Sequence, residues 1–174
     1  MGNKRIGFKR IAGRLSQLQR ELQLNQSTLV GAKKRVKSLD AGTGHALTAD
    51  DSGCIVLFAA AGATTVTLPT PEEGLHYTFV TQVQSTADHI IKTLVASQGL
   101  LGGLILNAQT ANKDDVFAAA SDGSDDTITM DGNTKGGAPG SRIECVGINS
   151  TTWAVTGVVL SDGSSVATPF SDGS

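Results

Sequence analysis

Residues 75–83 read LHYTFVTQV, and this stretch indicates most clearly how the chain folds. Side chains alternate between the two faces of a β-strand, so every second residue of the run shares a face. One face would hold Leu75, Tyr77, Phe79 and the aliphatic part of Thr81, and the other His76, Thr78, Val80 and Gln82. Because the two faces do not differ sharply, the pattern predicts a strand that is covered on both sides or lies at a subunit contact.

Seven more runs of strand type flank this one, at residues 54–58, 64–68, 89–96, 104–107, 126–130, 142–148 and 151–160. Turn signals separate them, among them Gly102-Gly103 and the polar stretch 121–125. Aromatic residues make up only 4% of the chain, which favours a compact sandwich over a deep aromatic pocket. The sequence therefore predicts a mainly β fold, with an antiparallel β-sandwich or jelly-roll-like body at 45–160 and a polar C-terminal tail at 161–174.

The first 40 residues have the periodicity of a helix. With Phe8 at position a of a heptad, seam positions recur at alternating steps of three and four, which is a coiled-coil frame. The seam residues are Phe8, Ile11, Leu15, Leu18, Leu22, Asn25, Leu29, Ala32, Val36 and Leu39. Asn25 is the polar exception, of the kind that fixes register and oligomer number. We therefore expect an N-terminal α-helical arm over residues 1–40, joined to the body by a glycine hinge at 41–44.

The arm should be stable only when it packs against something. Gly7, Gly13 and Gly31 lie off the seam, and each costs about 0.8–1.0 kcal/mol relative to alanine in a helix interior. The strongest stretch, residues 11–24, is marginal as an isolated helix in water. We favour self-association of the arm or docking on a partner; the alternative is an amphipathic helix that lies on its own domain.

Charge divides the chain at the same place. Residues 1–37 hold ten Lys/Arg and one acid (10 − 1 = +9), and residues 38–174 hold four and fifteen (4 − 15 = −11), which sum to −2. The candidate attachment cations are Lys4, Arg5, Lys9, Arg10, Arg14, Lys33, Lys34 and Arg35. They suit phosphate or an acidic protein surface, while the alternative is a solvated helix face. The arm offers no aromatic platform for bases, since Phe8 is its one aromatic residue.

Motifs for catalysis are missing from the sequence. Ser52 lacks a GxSxG frame, and residues 7–13 lack the Lys-Ser/Thr that completes a phosphate loop. Aspartates at 122, 125, 126 and 131 could offer oxygen ligands, but their spacing does not match an EF-hand. Cys54 and Cys145 lie in apolar runs and are predicted to be buried thiols. We therefore expect a protein without enzymatic activity, cofactor or metal.

Four phrases of the body resemble a known module. They are HALTADDSG (45–53), CIVLF (54–58), TVTLP (65–69) and EGLHYTFV (73–80). Together they are similar to a β-module in structural proteins of tailed bacteriophages. The resemblance implies a virion protein: a capsid decoration (cement) protein, a head fibre or the base of a tail fibre. Such proteins are typically trimers whose arm clamps the shell while the β-domains lie outside.

The resemblance and the charge division together give the functional expectation. We expect a non-enzymatic capsid decoration protein, a homotrimer made in the host cytoplasm and located on the capsid surface of the virion. Its partner would be the major capsid protein or another virion protein. The alternatives are a head or tail fibre that binds a receptor through the body, and a nucleic-acid-binding protein that uses the basic arm. No apolar run approaches the roughly 20 residues of a membrane span, so no membrane partner is expected.

Overall fold

The computed structural model describes residues 11, 13–18, 33–111 and 113–173. Residues 11 and 13–18 have helical backbone, whereas the remainder is mainly β. A 3₁₀ turn lies at Ala49–Asp51. The strands in these ranges are β1 (Val36–Leu39), β2 (Gly42–Ala46), β3 (Ile55–Phe58), β4 (Thr64–Thr67), β5 (His76–Thr81), β6 (His89–Lys92), β7 (Gly99–Ala108), β8 (Lys113–Ala118), β9 (Thr127–Met130), β10 (Arg142–Gly147), β11 (Thr152–Ser161) and β12 (Phe170–Ser171).

The strands form two sheets. The large sheet has seven strands in the order β1-β3-β5-β10-β11-β7-β8, and the small sheet has five in the order β12-β9-β6-β4-β2. The first six strands alternate between the sheets, and each of β3, β4, β5 and β6 pairs in parallel with the strand two places earlier. The chain therefore winds three times around the space between the sheets before the later strands complete them.

The predicted antiparallel pairing is wrong for half of the sandwich. Of the ten strand pairs in the described ranges, five are parallel, so both sheets are mixed. In an antiparallel sandwich, short turns commonly join neighbouring strands of one sheet. Several of these connections instead carry the chain across to the other sheet, as residues 59–63 do between β3 and β4.

The core lies between the sheets and holds most of the few aromatic rings. Trp153, Tyr77, Phe58 and Phe79 are all buried. The Tyr77 and Trp153 rings lie 5.7 Å apart, and Phe58 stacks on His89 at 4.6 Å. Burial of this apolar surface is the main source of stability in a domain of this size.

The two cysteines belong to the same core. Cys54 and Cys145 are buried and form no disulfide, which confirms the prediction of buried thiols. Burial raises the pKa of Cys145 to about 12.

Strand β1 corrects the predicted end of the arm. Residues 36–39 pair in parallel with β3, so the heptad interpretation is wrong for its last two seam positions. Val36 is exposed, whereas Leu39 is buried in the core. Leu39 is directly opposite Phe58 in the register, and burial between the sheets outweighs the weak helical periodicity of this end.

The glycines predicted to form a hinge lie in β2. Gly42 and Gly44 have positive φ angles of 147° and 99°, and the pairing with β4 shifts register between Gly42 and His45. The glycines thus mark an irregular edge strand, because only glycine adopts such backbone angles readily.

Strand β7 runs through a pair of glycines that the sequence assigned to a turn. A Cβ on Gly102, where φ is +115°, would lie 2.1 Å from the carbonyl oxygen of Val155, and one on Gly103 would lie 2.8 Å from that of Phe117. Here glycine permits the close approach of neighbouring strands β11 and β8, rather than a change of chain direction.

The last residues are part of the sandwich, which corrects the predicted polar tail. Strand β12 pairs with β9, and Phe170 is only 5% exposed. The backbone N–H of Gly173 donates to the Asp126 carboxylate at 2.8 Å. One aromatic side chain and a strand pair are enough to hold an otherwise polar segment on the body.

Candidate functional site

The described helical residues carry part of the predicted attachment stripe. Ile11, Leu15 and Leu18 are spaced by four and three residues, which places them on one face of a helix. Their side chains are 58%, 56% and 53% exposed. Arg14, between them in the chain, is exposed as well. This stripe is available for packing against a partner.

The other predicted arm residues lie outside the described residues, and their role stays a prediction. They are Lys4, Arg5, Phe8, Lys9, Arg10, Leu22, Asn25 and Leu29.

Part of the second basic cluster acts within the body. The Arg35 guanidinium donates to the Asp50 carbonyl and lies 3.6 Å from the Asp51 carboxylate. Lys37 donates to the other oxygen of the same carboxylate at 2.8 Å. Partial burial raises the pKa of Asp51, but the bonds from Lys37 and Thr48 outweigh it, so the pKa lies below its usual value. These cations tie β1 to the 3₁₀ turn, which leaves them less available to an external anion.

Lys33 and Lys34 are exposed, and Lys34 lines a shallow pocket of about 280 Å³ together with His76 and Glu144. Arg142 donates to Glu144 at 2.5 Å, and this bond holds the pKa of that carboxyl below its usual value. The pocket therefore presents both signs of charge. Such a surface does not select an anion such as a phosphate backbone.

The aspartate-rich turns use their carboxylates locally. Asp131 accepts bonds from the backbone N–H groups of Asn133, Thr134 and Lys135 at 2.9, 2.7 and 2.8 Å, and from the Thr134 hydroxyl at 2.7 Å. Burial raises the pKa of Asp131, but these bonds outweigh it and the pKa lies below its usual value. The same turn chemistry recurs at Asp122, Asp125 and Asp126. In the described part of the chain, no three His, Cys, Asp or Glu side chains are grouped to hold a metal ion.

A groove of about 380 Å³ lies beside the ends of β2 and β4. Its walls are mainly apolar or uncharged, and Glu72 contributes a carboxylate. The remaining wall residues include Leu47, Leu68, Pro69 and Leu94. The groove has room for a small polar ligand or a peptide side chain, but contains no arrangement of nucleophile and base.

Sequence reasoning missed most of a surface on the body. We call it the outer face of the large sheet, meaning the face that points away from the small sheet. Register places one row of residues across that face: Ser38, Leu57, Val80, Arg142, Val158, Ile105 and Val116. Apolar residues on both faces of a strand were the available signal, noted for residues 75–83 and equally present in 151–160.

Comparison with known proteins does not identify a family for this chain. The sequence matches no protein-family model and no curated protein. Among the described residues, no helix has the length and hydropathy needed to cross a membrane.

Proposed function

We propose that this chain is a non-enzymatic structural protein of a tailed-bacteriophage virion, and specifically a capsid decoration protein. Its N-terminal helical arm attaches to the shell, and its β-body is displayed outside, where it stabilises the capsid. The protein acts as a homotrimer, is made in the host cytoplasm and contacts the major capsid protein or another virion protein. A trimer attached to the shell through three weakly bound arms would be held more firmly than a single chain attached through one arm.

The observation that carries this proposal is the exposed stripe of Ile11, Leu15 and Leu18. Each large aliphatic side chain contributes about 1.5–3 kcal/mol when it is fully buried, so three of them supply a substantial docking energy. The body, in contrast, has its own core between two sheets. Attachment by the arm and display of the body are thus served by different residues, in agreement with the phage resemblance of residues 45–80.

The test is co-sedimentation of the full-length protein with purified heads of the phage that encodes it. We expect Leu15→Ser/Leu18→Ser to weaken attachment at least about 100-fold, since two buried leucines are worth about 3 kcal/mol or more. The matched control is Leu94→Ser/Val95→Ser, which removes two exposed apolar side chains from the body. Equal attachment of both double variants would refute the role of the arm.

A receptor-binding fibre is the second candidate, and the groove beside Glu72 favours it. A glycan array probed with the full-length protein separates the two functions. Specific binding that Glu72→Gln abolishes, while attachment to heads is absent, would select the fibre.

Nucleic-acid binding through the basic arm is the third candidate. The pairing of Arg35 and Lys37 with Asp51 weakens it. It requires affinity for duplex DNA that falls steeply with salt. Salt-independent or undetectable binding at 50 mM salt would exclude it.

A further inference from the structure

The two sheets of the body have different outer surfaces. On the small sheet, register aligns Thr65, Ile90 and Thr129 in one row, and Thr67, Lys92 and Thr127 in the next. On the outer face of the large sheet, the central row is largely aliphatic. The outer face of the small sheet is thus mainly polar, whereas the outer face of the large sheet has a largely aliphatic central row.

Exposure supports the same distinction. Val158 and Ile105 are each 47% exposed and Val116 is 68% exposed, and they are neighbours on three adjacent strands. Val36 on β1 and Val146 on β10 are further exposed valines on the same face, apart from this group. Among the described residues, no strand of the small sheet has an exposed large hydrophobic side chain. A contiguous apolar patch on a sheet marks an interaction surface.

The charges at the centre of this face pair with each other. Arg142 and Glu144 stand on the same strand near the middle of the sheet and pair at 2.5 Å. A second copy of the same face therefore brings a paired cation and anion to the centre of the contact, while Asp114, which register places on the same face, lies on the edge strand β8. A strongly acidic or basic partner finds no complementary field here.

The area of the face is close to that of a standard protein–protein interface. Six spacings of about 4.8 Å between the seven strands give a width of roughly 29 Å, and strands about 20–25 Å long give an area on the order of 600–700 Å². A stable interface of standard size buries about 800 Å² on each partner. The sheet alone thus supplies most of the area that a contact between two copies requires.

We propose that copies of this chain associate through the outer face of the large sheet. The proposal relies on the proposed function only for the number of copies, which that function sets at three. The surface itself follows from the register, exposure and charge of the body. It also accounts for Val80, the apolar residue that strand β5 has on this face.

The experiment measures the mass of the full-length protein by sedimentation velocity at micromolar concentration. We expect the wild-type protein at three times the 17.8 kDa of a single chain. Ile105→Lys/Val158→Lys should weaken association at least about 100-fold and give a monomer, because it places charge at the centre of the apolar patch. The matched control Thr65→Lys/Thr129→Lys, on the small sheet, should keep the wild-type mass. Circular dichroism and urea denaturation verify that both double variants are folded.

Reversal of the central charges gives a second readout. Arg142→Glu alone should weaken association, since carboxylates then cluster at the contact, and Arg142→Glu/Glu144→Arg should restore it. A monomeric wild-type protein would overturn the proposal. So would an Ile105→Lys/Val158→Lys variant of wild-type mass. An oligomer that is lost in Leu15→Ser/Leu18→Ser but kept in Ile105→Lys/Val158→Lys would assign association to the arm.

These outcomes are independent of attachment to phage heads. If Ile105→Lys/Val158→Lys no longer associates but still binds heads, the proposed interface is supported. Association through this face in a protein that never binds heads would refute the decoration function and leave the interface standing.

Discussion

Replacement of Asp131 by alanine should destabilise the body by about 3 kcal/mol. The side chain is half-buried, and one of its oxygens accepts bonds from three backbone N–H groups. Removal of the carboxylate leaves these donors without a partner, at a cost of roughly 1 kcal/mol each for a site that water partly reaches. The loop cannot readily rearrange, because Gln84 donates to the Gly132 carbonyl at 2.9 Å and Gly163 donates to the Asn133 carbonyl at 3.0 Å.

Urea denaturation at pH 7, followed by the fluorescence of buried Trp153, measures this loss. Asp131→Asn retains the accepting oxygen and should cost only about 1 kcal/mol. Asp122→Ala is the matched control, since Asp122 is exposed and accepts a single backbone bond, from Ser124. If Asp131→Ala unfolds within about 0.5 kcal/mol of the wild-type protein, or if asparagine is as harmful as alanine, the hydrogen-bond account of this loop is wrong.

The same carboxylate has a defined pH dependence. Its pKa in the folded state lies below the usual 3.8, so its contribution is complete above 3.8 and is lost as the pH falls through the folded-state pKa. The difference in unfolding free energy between wild type and Asp131→Asn should therefore be constant from pH 7 to about 5 and shrink below 3.8. A difference that grows on acidification would contradict this sign.

Three further predictions concern single positions in the body. Burial lowers the pKa of His89 below its usual 6.5, so below that pH the unfolded chain takes up a proton that the folded chain does not. The melting temperature of the wild-type protein should therefore fall as the pH drops below 6.5, and that of His89→Gln should fall less. Equal falls in the two proteins would count against this. Gly102→Ala should lower the free energy of unfolding, measured in urea, by about 3 kcal/mol or more, because its Cβ would collide with a carbonyl oxygen. Gly123→Ala, which has open space around it, should lower it by about 1 kcal/mol. Equal losses of unfolding free energy would contradict the close approach of the strands. Phe170→Ala should cost about 3 kcal/mol, since the ring is 5% exposed, while a free tail would tolerate the change within 0.5 kcal/mol.

Much of the strand content could be predicted from local pattern. Seven of the eight runs contain or lie within a strand, and the eighth, 151–160, overlaps β11 with an offset of one residue. Alternation and β-branched residues report on half-buried extended backbone. Of residues 89–96 only His89–Lys92 is strand, and LILN is the middle of the longer β7. Within residues 75–83, the predicted shared face of Tyr77 and Phe79 is confirmed, because both side chains are buried in the core.

Strand pairing could not be predicted in the same way. A short polar connection is compatible with a hairpin in one sheet and with a crossing to the other, and the two have the same composition. Strand β8 has no apolar alternation, since residues 113–115 are Lys-Asp-Asp at a sheet edge. Strand β12 is two residues long. These elements exist because neighbouring strands offer partners, which is non-local information.

For the candidate site, local pattern was sufficient to identify the stripe of Ile11, Leu15 and Leu18. It was misleading at Arg35, because the carboxylate that pairs with it is Asp51, sixteen residues later and brought close by β1 and β3. The outer face of the large sheet depends on registers between seven strands. Only the folded structure brings Val158, Ile105 and Val116 together.

The position of the β10–β11 hairpin has a consequence for biosynthesis. Of the twelve strands in the described residues, these two are the tenth and eleventh to be made, yet they lie in the large sheet between β5 and β7. While the ribosome has not yet released residues 142–161, β5 and β7 both have unpaired backbone on the side where the hairpin will insert. The large sheet therefore closes only after residues 142–161 are made, through distant pairings that form slowly. A chain that is cut short before the hairpin should expose open strand edges and aggregate rather than fold.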